Sequence, residues 1–175
     1  MADLYITYSI RERFWTSQLA DALESEGYTV WWDHPVTPGE TVRPESQKAL
    51  DEARCAIVVW SSTAVEDHWV LVDSNAAKSR QLLVAVLAQD CSVPETFQDI
   101  ELSDLRDWKR GDLEDAHFKH LFKTVKAYCK PSQLSLSEKQ KQANERAERM
   151  RAESEYKRQQ RERREALMQT KRSLA

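Results

Sequence analysis

The sequence predicts an α/β domain, a parallel sheet of about five strands with helices on both faces, followed by a charged helical tail. Three observations carry this. Short β-branched and aromatic runs alternate with helix-spaced apolar residues over roughly the first 130 positions. The run Leu82-Leu83-Val84-Ala85-Val86-Leu87 is apolar throughout, as a strand covered on both faces must be. Beyond residue 134 the composition turns to Lys, Arg, Glu, Gln and Ala, with no Gly or Pro. Right-handed crossovers between parallel strands make such an alternation a doubly wound, flavodoxin-like fold.

Taken in order, 3–8 (Asp-Leu-Tyr-Ile-Thr-Tyr) reads as the first strand, and Ser9 to Glu12 as a polar turn. From Phe14 the apolar positions Trp15, Leu19, Ala22 and Leu23 recur at helical spacing, and Gly27 stands where a helix ends. Tyr28 to Trp32 is a second strand, with Trp31 and Trp32 pointing to opposite sides: one is core, and the other, Trp32 beside the following loop, lines the cleft. Three prolines and Gly39 make 33–44 a loop, and 45–53 is a short helix. Cys55 to Trp60 is the third strand. Ser61, Ser62 and Thr63 offer hydroxyl caps to a helix running from Thr63 to Arg80. The 82–87 strand follows, with 97–102 as a short edge strand. The last helix is expected over 112–130, with Leu113, Phe118, Leu121, Phe122, Val125 and Tyr128 on its buried side and Pro131 stopping it. The expected domains are 1–131 and 132–175.

The net charge of −3 hides an asymmetry: residues 1–135 carry −8 and residues 136–175 carry +5. The tail reads as a solvated spacer helix, a weak coiled coil or a helix that docks a protein partner. Its charges are mixed in sign and Tyr156 is its only aromatic, which speaks against nucleic acid. Cys55, Cys91 and Cys129 are odd in number and widely spaced, as in a cytoplasmic protein with reduced thiols. The N-terminus lacks the pattern of a secretion signal, and no apolar run approaches the roughly 20 residues of a membrane span.

Neither GxGxxG nor GxxxxGK[ST] is present, so Rossmann-type dinucleotide binding and P-loop chemistry are unsupported. His117 and His120 lack a third ligand nearby in sequence, and no metal is expected. A phosphoacceptor receiver domain needs an Asp at the end of the third strand, where this chain has Trp60-Ser61-Ser62. A carboxylate acting on a sugar, as in a nucleoside deoxyribosyltransferase, stays as a remote alternative. The loops after Tyr8, Trp32 and Trp60 emerge at the carboxyl edge of the sheet, where doubly wound folds bind ligands. Trp69 and Asp73, four apart on the third helix, share a face and set an aromatic plate beside a carboxylate. Glu66 and Asp67 sit where a helix start favours anions and read as structural.

Five blocks, in order, resemble a TIR domain of the bacterial type. They are 3–9 (Asp-Leu-Tyr-Ile-Thr-Tyr-Ser), 27–33 (Gly-Tyr-Thr-Val-Trp-Trp-Asp), Pro38-Gly39-Glu40, Ser61 through Trp69-Val70, and 100–104 (Ile-Glu-Leu-Ser-Asp). The resemblance covers about residues 2–130 and leaves out the tail. It implies a flavodoxin-like module that self-associates. In many members it also implies cleavage of NAD+ at the nicotinamide–ribose bond, by hydrolysis or cyclisation. The family's catalytic Glu falls at Asp73 here, so a non-catalytic adaptor that signals through TIR–TIR contacts is the alternative.

On this resemblance Asp73 is the catalytic carboxylate, and Tyr8, Ser9, Arg11, Trp32, Asp33, Arg43 and Trp69 border the substrate. The loop with Pro35, Thr37, Pro38, Gly39 and Glu40 is the self-association loop. NAD+ is the substrate, no cofactor or metal is implied, and the partners are other TIR domains. A carboxylate stabilises an oxocarbenium-like transition state, and an aromatic face holds a flat ring or a cation. Asp reaches about one methylene less than Glu, and a misplacement on the order of 1 Å costs roughly a hundredfold in rate.

Overall fold

The computed structural model describes residues 2–32, 43–109 and 111–131, with a few positions between 151 and 159. The chain divides into two units, residues 1–133 and 134–175. The second lies almost wholly outside the described residues, and the tail helix expected from sequence lies there too. So do Asp33 and the loop residues Pro35, Thr37, Pro38, Gly39 and Glu40.

Five strands form one all-parallel sheet: β1 (Leu4–Thr7), β2 (Val30–Trp31), β3 (Cys55–Trp60), β4 (Leu83–Leu87) and β5 (Leu102–Asp104). Their order is β2-β1-β3-β4-β5, so the direction of winding reverses between β1 and β3. The helices are α1 (Arg13–Ser25), α2 (Arg43–Glu52), α3 (His68–Ser79) and α4 (Ala116–Tyr128). The expected flavodoxin-like class is the one observed.

Alternation along each strand builds two cores, one per face. Leu4, Ile6, Cys55, Ile57, Val59, Val84 and Val86 face Leu19 and Leu23 of α1 and Phe118, Leu121 and Val125 of α4. Tyr5, Ala56, Val58, Trp60, Ala85 and Leu87 face Leu50 of α2 and Val70 and Ala77 of α3. All five residues of β4 are buried, as its unbroken apolar run requires. Gly27 takes φ +97° directly after α1, a conformation in which a Cβ is disfavoured, and so ends the helix as expected.

The differences from the sequence expectation include three element boundaries and one side chain's burial. The last strand is Leu102–Asp104, because Glu95–Phe97 winds into a 3-10 turn and buries Phe97 against Trp60, ring centroids 5.2 Å apart. The third helix starts at His68 and the last at Ala116. In each case an Asp one residue earlier accepts two backbone N–H groups, Asp67 from Trp69 and Val70 and Asp115 from His117 and Phe118. Tyr128, expected on the buried side of α4, is exposed in the last turn. At the opposite edge of the sheet, Asp3 accepts from Thr29 N and Oγ1, both at 3.0 Å, and pairs with Arg54 at 3.2 Å. Arg54 also donates to the Lys130 carbonyl, fixing the end of α4 against the start of β3. Among the described residues no helix is long and apolar enough to cross a membrane.

Candidate functional site

The carboxyl edge of the sheet is assembled from the segments after β1 and β3. After β1, Ser9 leads into a 3-10 turn, Ile10–Glu12, closed by Glu12 N–H donating to the Ser9 carbonyl at 2.8 Å. After β3, Ser61 Oγ accepts from Ala64 N at 3.1 Å and caps a second 3-10 turn, Ala64–Glu66. The chain then extends at Asp67 and enters α3. Asp67 is thus a helix cap, which matches its structural reading.

Asp73 is only 4% exposed, whereas Trp69, one turn nearer the helix start, is 53% exposed. The spacing placed both on one helix face. The structure divides them because Asp73 lies where α3 packs on β1, and Trp69 lies before that contact. Tyr5 Oη donates to Asp73 Oδ2 at 2.7 Å, and Thr7 Oγ1 approaches the same oxygen at 3.4 Å. The carboxylate is therefore neither a solvated surface group nor adrift in apolar core. Hydroxyls of β1 hold it in one orientation. Tyr5 is itself fixed by stacking on Trp31, with centroids 4.9 Å apart and planes 8° from parallel.

This arrangement corrects one expectation. Trp32 was to line the cleft, but it belongs to the core beneath α1 and α4, where Tyr8 packs against it at 6.2 Å. Trp31 instead stacks on Tyr5, the residue that holds the carboxylate. Tyr5 and Trp31 are register partners on neighbouring strands, so they share a face, and Tyr8 and Trp32 share the other. The structure accordingly brings Asp73 together with Tyr5 and Thr7, with Trp31 stacked on Tyr5, and places Tyr8 and Trp32 on the other face of the sheet.

Ser9 is buried beneath its turn and its side chain makes no capping bond, while Arg11 is exposed. Arg43 opens α2, and its side chain lies outside the described residues. Trp69 packs edge-on against His68, with centroids 4.8 Å apart, and is not a core residue.

Sequence reasoning passed over Tyr5, Thr7 and Glu12. The first two were visible only as strand formers, and the third as part of a polar turn. Glu12 is 5% exposed and accepts from Thr63 Oγ1 at 3.0 Å, which ties the turn after β1 to the turn after β3. Thr63 Oγ1 also lies 3.2 Å from Ser61 Oγ. A hint was present in the sequence, since an acid four residues past a strand end lies at the ligand-binding edge of such a sheet.

Among the described residues no group of three or more His, Cys, Asp or Glu is placed to hold a metal ion. This edge offers a carboxylate oriented by hydroxyls of β1, an exposed indole one turn earlier on α3, and a second, nearly buried carboxylate in the turn after β1.

A family model described as "TIR domain" matches residues 4–122. The TIR domain of the Toll-related receptor TRR-2 from Hydra magnipapillata superposes with a TM-score of 0.60 at 21% identity, over 72% of this chain and 99% of that one. The TIR domains of the activated Roq1 resistosome, which directly recognises the pathogen effector XopQ, superpose with a TM-score of 0.51 at 17% identity, over 71% of this chain and 99% of that one. At these identities the likeness to solved structures concerns the fold. No curated protein matches the sequence.

Proposed function

The chain belongs to the TIR domain family, and from that premise we propose that it binds NAD+ at the carboxyl edge of its sheet and cleaves the nicotinamide–ribose bond when copies assemble. The observation that carries this reading is the Asp73 carboxylate, buried at that edge and oriented by the Tyr5 hydroxyl at 2.7 Å. In the proposed reaction the C1′–N bond breaks and nicotinamide leaves with the bonding electrons. Positive charge develops on the ribose ring, and Asp73 stabilises it. Water then adds to C1′ and releases a proton, giving ADP-ribose. A ring nitrogen of the adenine adding in its place gives a cyclic isomer. Preorientation counts here because a carboxylate that need not reorganise as charge develops lowers the barrier most. Trp69, exposed at the helix start, is the surface on which a flat ring stacks.

In this proposal NAD+ is a substrate and no cofactor takes part. The partners are further TIR domains, joined through the loop with Pro35 to Glu40, and the tail over 134–175 is offered to a protein partner in the cytoplasm. That a TIR domain assembles is supported by the resistosome neighbour, whose TIR domains are part of such an assembly.

The second reading is an adaptor that signals through TIR–TIR contacts without chemistry. The same residue favours it in one respect: at 4% exposure Asp73 offers a substrate little surface. One assay separates the two. Nicotinamide release from NAD+ is followed over hours at high protein concentration with a crowding agent, beside Asp73→Ala. Release that disappears in the variant supports the enzyme. Release that persists at the parent rate in Asp73→Ala removes Asp73 from the mechanism. No release at any concentration, with self-association intact, supports the adaptor.

A further inference from the structure

We infer that Glu12 is a specificity-determining residue of this edge, a carboxylate that takes the hydroxyls of a ribose. The inference rests on the nucleotide reading of the site and adds to it a second acid that no motif marks.

Three observations carry it. The first is burial without a counter-ion. Glu12 is 5% exposed, and among the described residues its one side-chain hydrogen bond comes from a neutral donor, Thr63 Oγ1 to Oε2 at 3.0 Å. Among the described residues no Lys, Arg or His pairs with it. Removing a carboxylate from water is costly unless hydrogen-bond donors or a cation replace the water. The hydroxyl occupies Oε2, and Oε1, which is not among the side-chain atoms sealed from solvent without a partner, stays open to a further donor.

The second observation is position. Glu12 lies after β1 and Thr63 after β3, and the sheet reverses its winding between these two strands. That switch point is where doubly wound sheets open a crevice for ligands at their carboxyl edge. The third is order. Glu12 Oε2, Thr63 Oγ1, Ser61 Oγ and Ala64 N form one run of contacts at 3.0, 3.2 and 3.1 Å, so the acid is held by both loops. A group fixed in this way does not lose rotamer freedom when it binds.

A vicinal diol supplies two neutral donors, which suits a carboxylate already tied through one oxygen to a neutral hydroxyl. NAD+ carries two such diols. The shared chemistry is ribose, and separate arms of the test distinguish the adenosine side from the nicotinamide side.

The test is NMR titration of the full chain with adenosine monophosphate and with nicotinamide mononucleotide, each beside its 2′-deoxy counterpart. The parent should bind one ribonucleotide about tenfold more tightly than its deoxy form, the scale of one hydrogen bond to a charged group. Glu12→Gln keeps an acceptor for Thr63, stays folded by thermal melting, and should erase that preference. Thr63→Val keeps the carboxylate and should retain it. The assignment is overturned if the parent shows no ribose preference or binds neither nucleotide. It is overturned equally if Glu12→Gln keeps the preference, or if Thr63→Val loses it as fully as Glu12→Gln does, which would make the pair only a loop clamp. Nicotinamide release read in parallel separates this from the enzyme reading. Ribose preference without release leaves Glu12 assigned and the cleavage reading refuted; release without ribose preference does the reverse.

Discussion

Substituting Tyr5 by Phe removes one hydroxyl and nothing else, so it isolates the share of that donor in orienting Asp73. The ring stays stacked on Trp31, since that contact involves the aromatic faces. What is lost is an O–H donor at 2.7 Å from a carboxylate in a pair that is almost wholly buried. Bonds of this length to an ionised acceptor are the strong ones. Thr7, at 3.4 Å, is beyond the usual O–H···O range and replaces little of it. Hydrogen bonds to charged groups contribute about 1.5–3 kcal/mol, so Tyr5→Phe should destabilise by about 2 kcal/mol. For a domain of this size that is a fall of about 6 °C in melting temperature.

The assay is urea unfolding of the parent, Tyr5→Phe, Asp73→Asn and the double variant. The cycle should return a coupling of about 1.5 kcal/mol, because contacting partners do not add. If Tyr5→Phe changed stability by less than about 0.5 kcal/mol, or the two substitutions were additive, the bond would not be what holds the carboxylate. On the enzyme reading Tyr5→Phe should also lower kcat for nicotinamide release while leaving KM near the parent's.

Trp69→Ala should leave stability within about 0.5 kcal/mol, since the indole is mostly in solvent, and should raise the KM for NAD+. Asp67→Ala should cost about 1 kcal/mol through the lost cap of α3, read by urea unfolding. The Arg106 guanidinium beside Asp104 holds that carboxyl down at about 2. A depressed carboxyl stabilises the fold above its unfolded value near 3.9, and that contribution is lost as pH falls from about 4 through about 2. The two side chains are 42% and 41% exposed, so water screens the pair and its contribution to stability is small. In Arg106→Gln, NMR titration should find Asp104 nearer the ordinary carboxyl value. Burial pushes all three cysteine thiols up, but Cys55 and Cys129 are shielded while Cys91 is partly exposed. A disulfide reagent at pH 8 should therefore modify Cys91 alone until urea releases the other two.

Strand and helix order, the both-sided burial of β4 and the Gly27 stop were legible in the sequence, because each follows from side-chain periodicity or from one residue's backbone freedom. The family resemblance also came from local blocks read in order. Within the site, the sequence determined that an acid stands four residues after Trp69, and no more than that. Tyr5, Thr7 and Asp73 are 66 to 68 residues apart, and Glu12 and Thr63 are 51 apart. Their pairing exists only once β1 lies beside β3 and α3 packs across β1.

The choice between Trp31 and Trp32 turned on the same point. Alternation says that the two face opposite ways, but register against β1 decides which of them shares a face with Tyr5. The burial of Asp73 beside an exposed Trp69 was likewise settled by tertiary structure. Helical spacing fixes the angle between two side chains, and only the edge of the sheet beneath them decides which is covered.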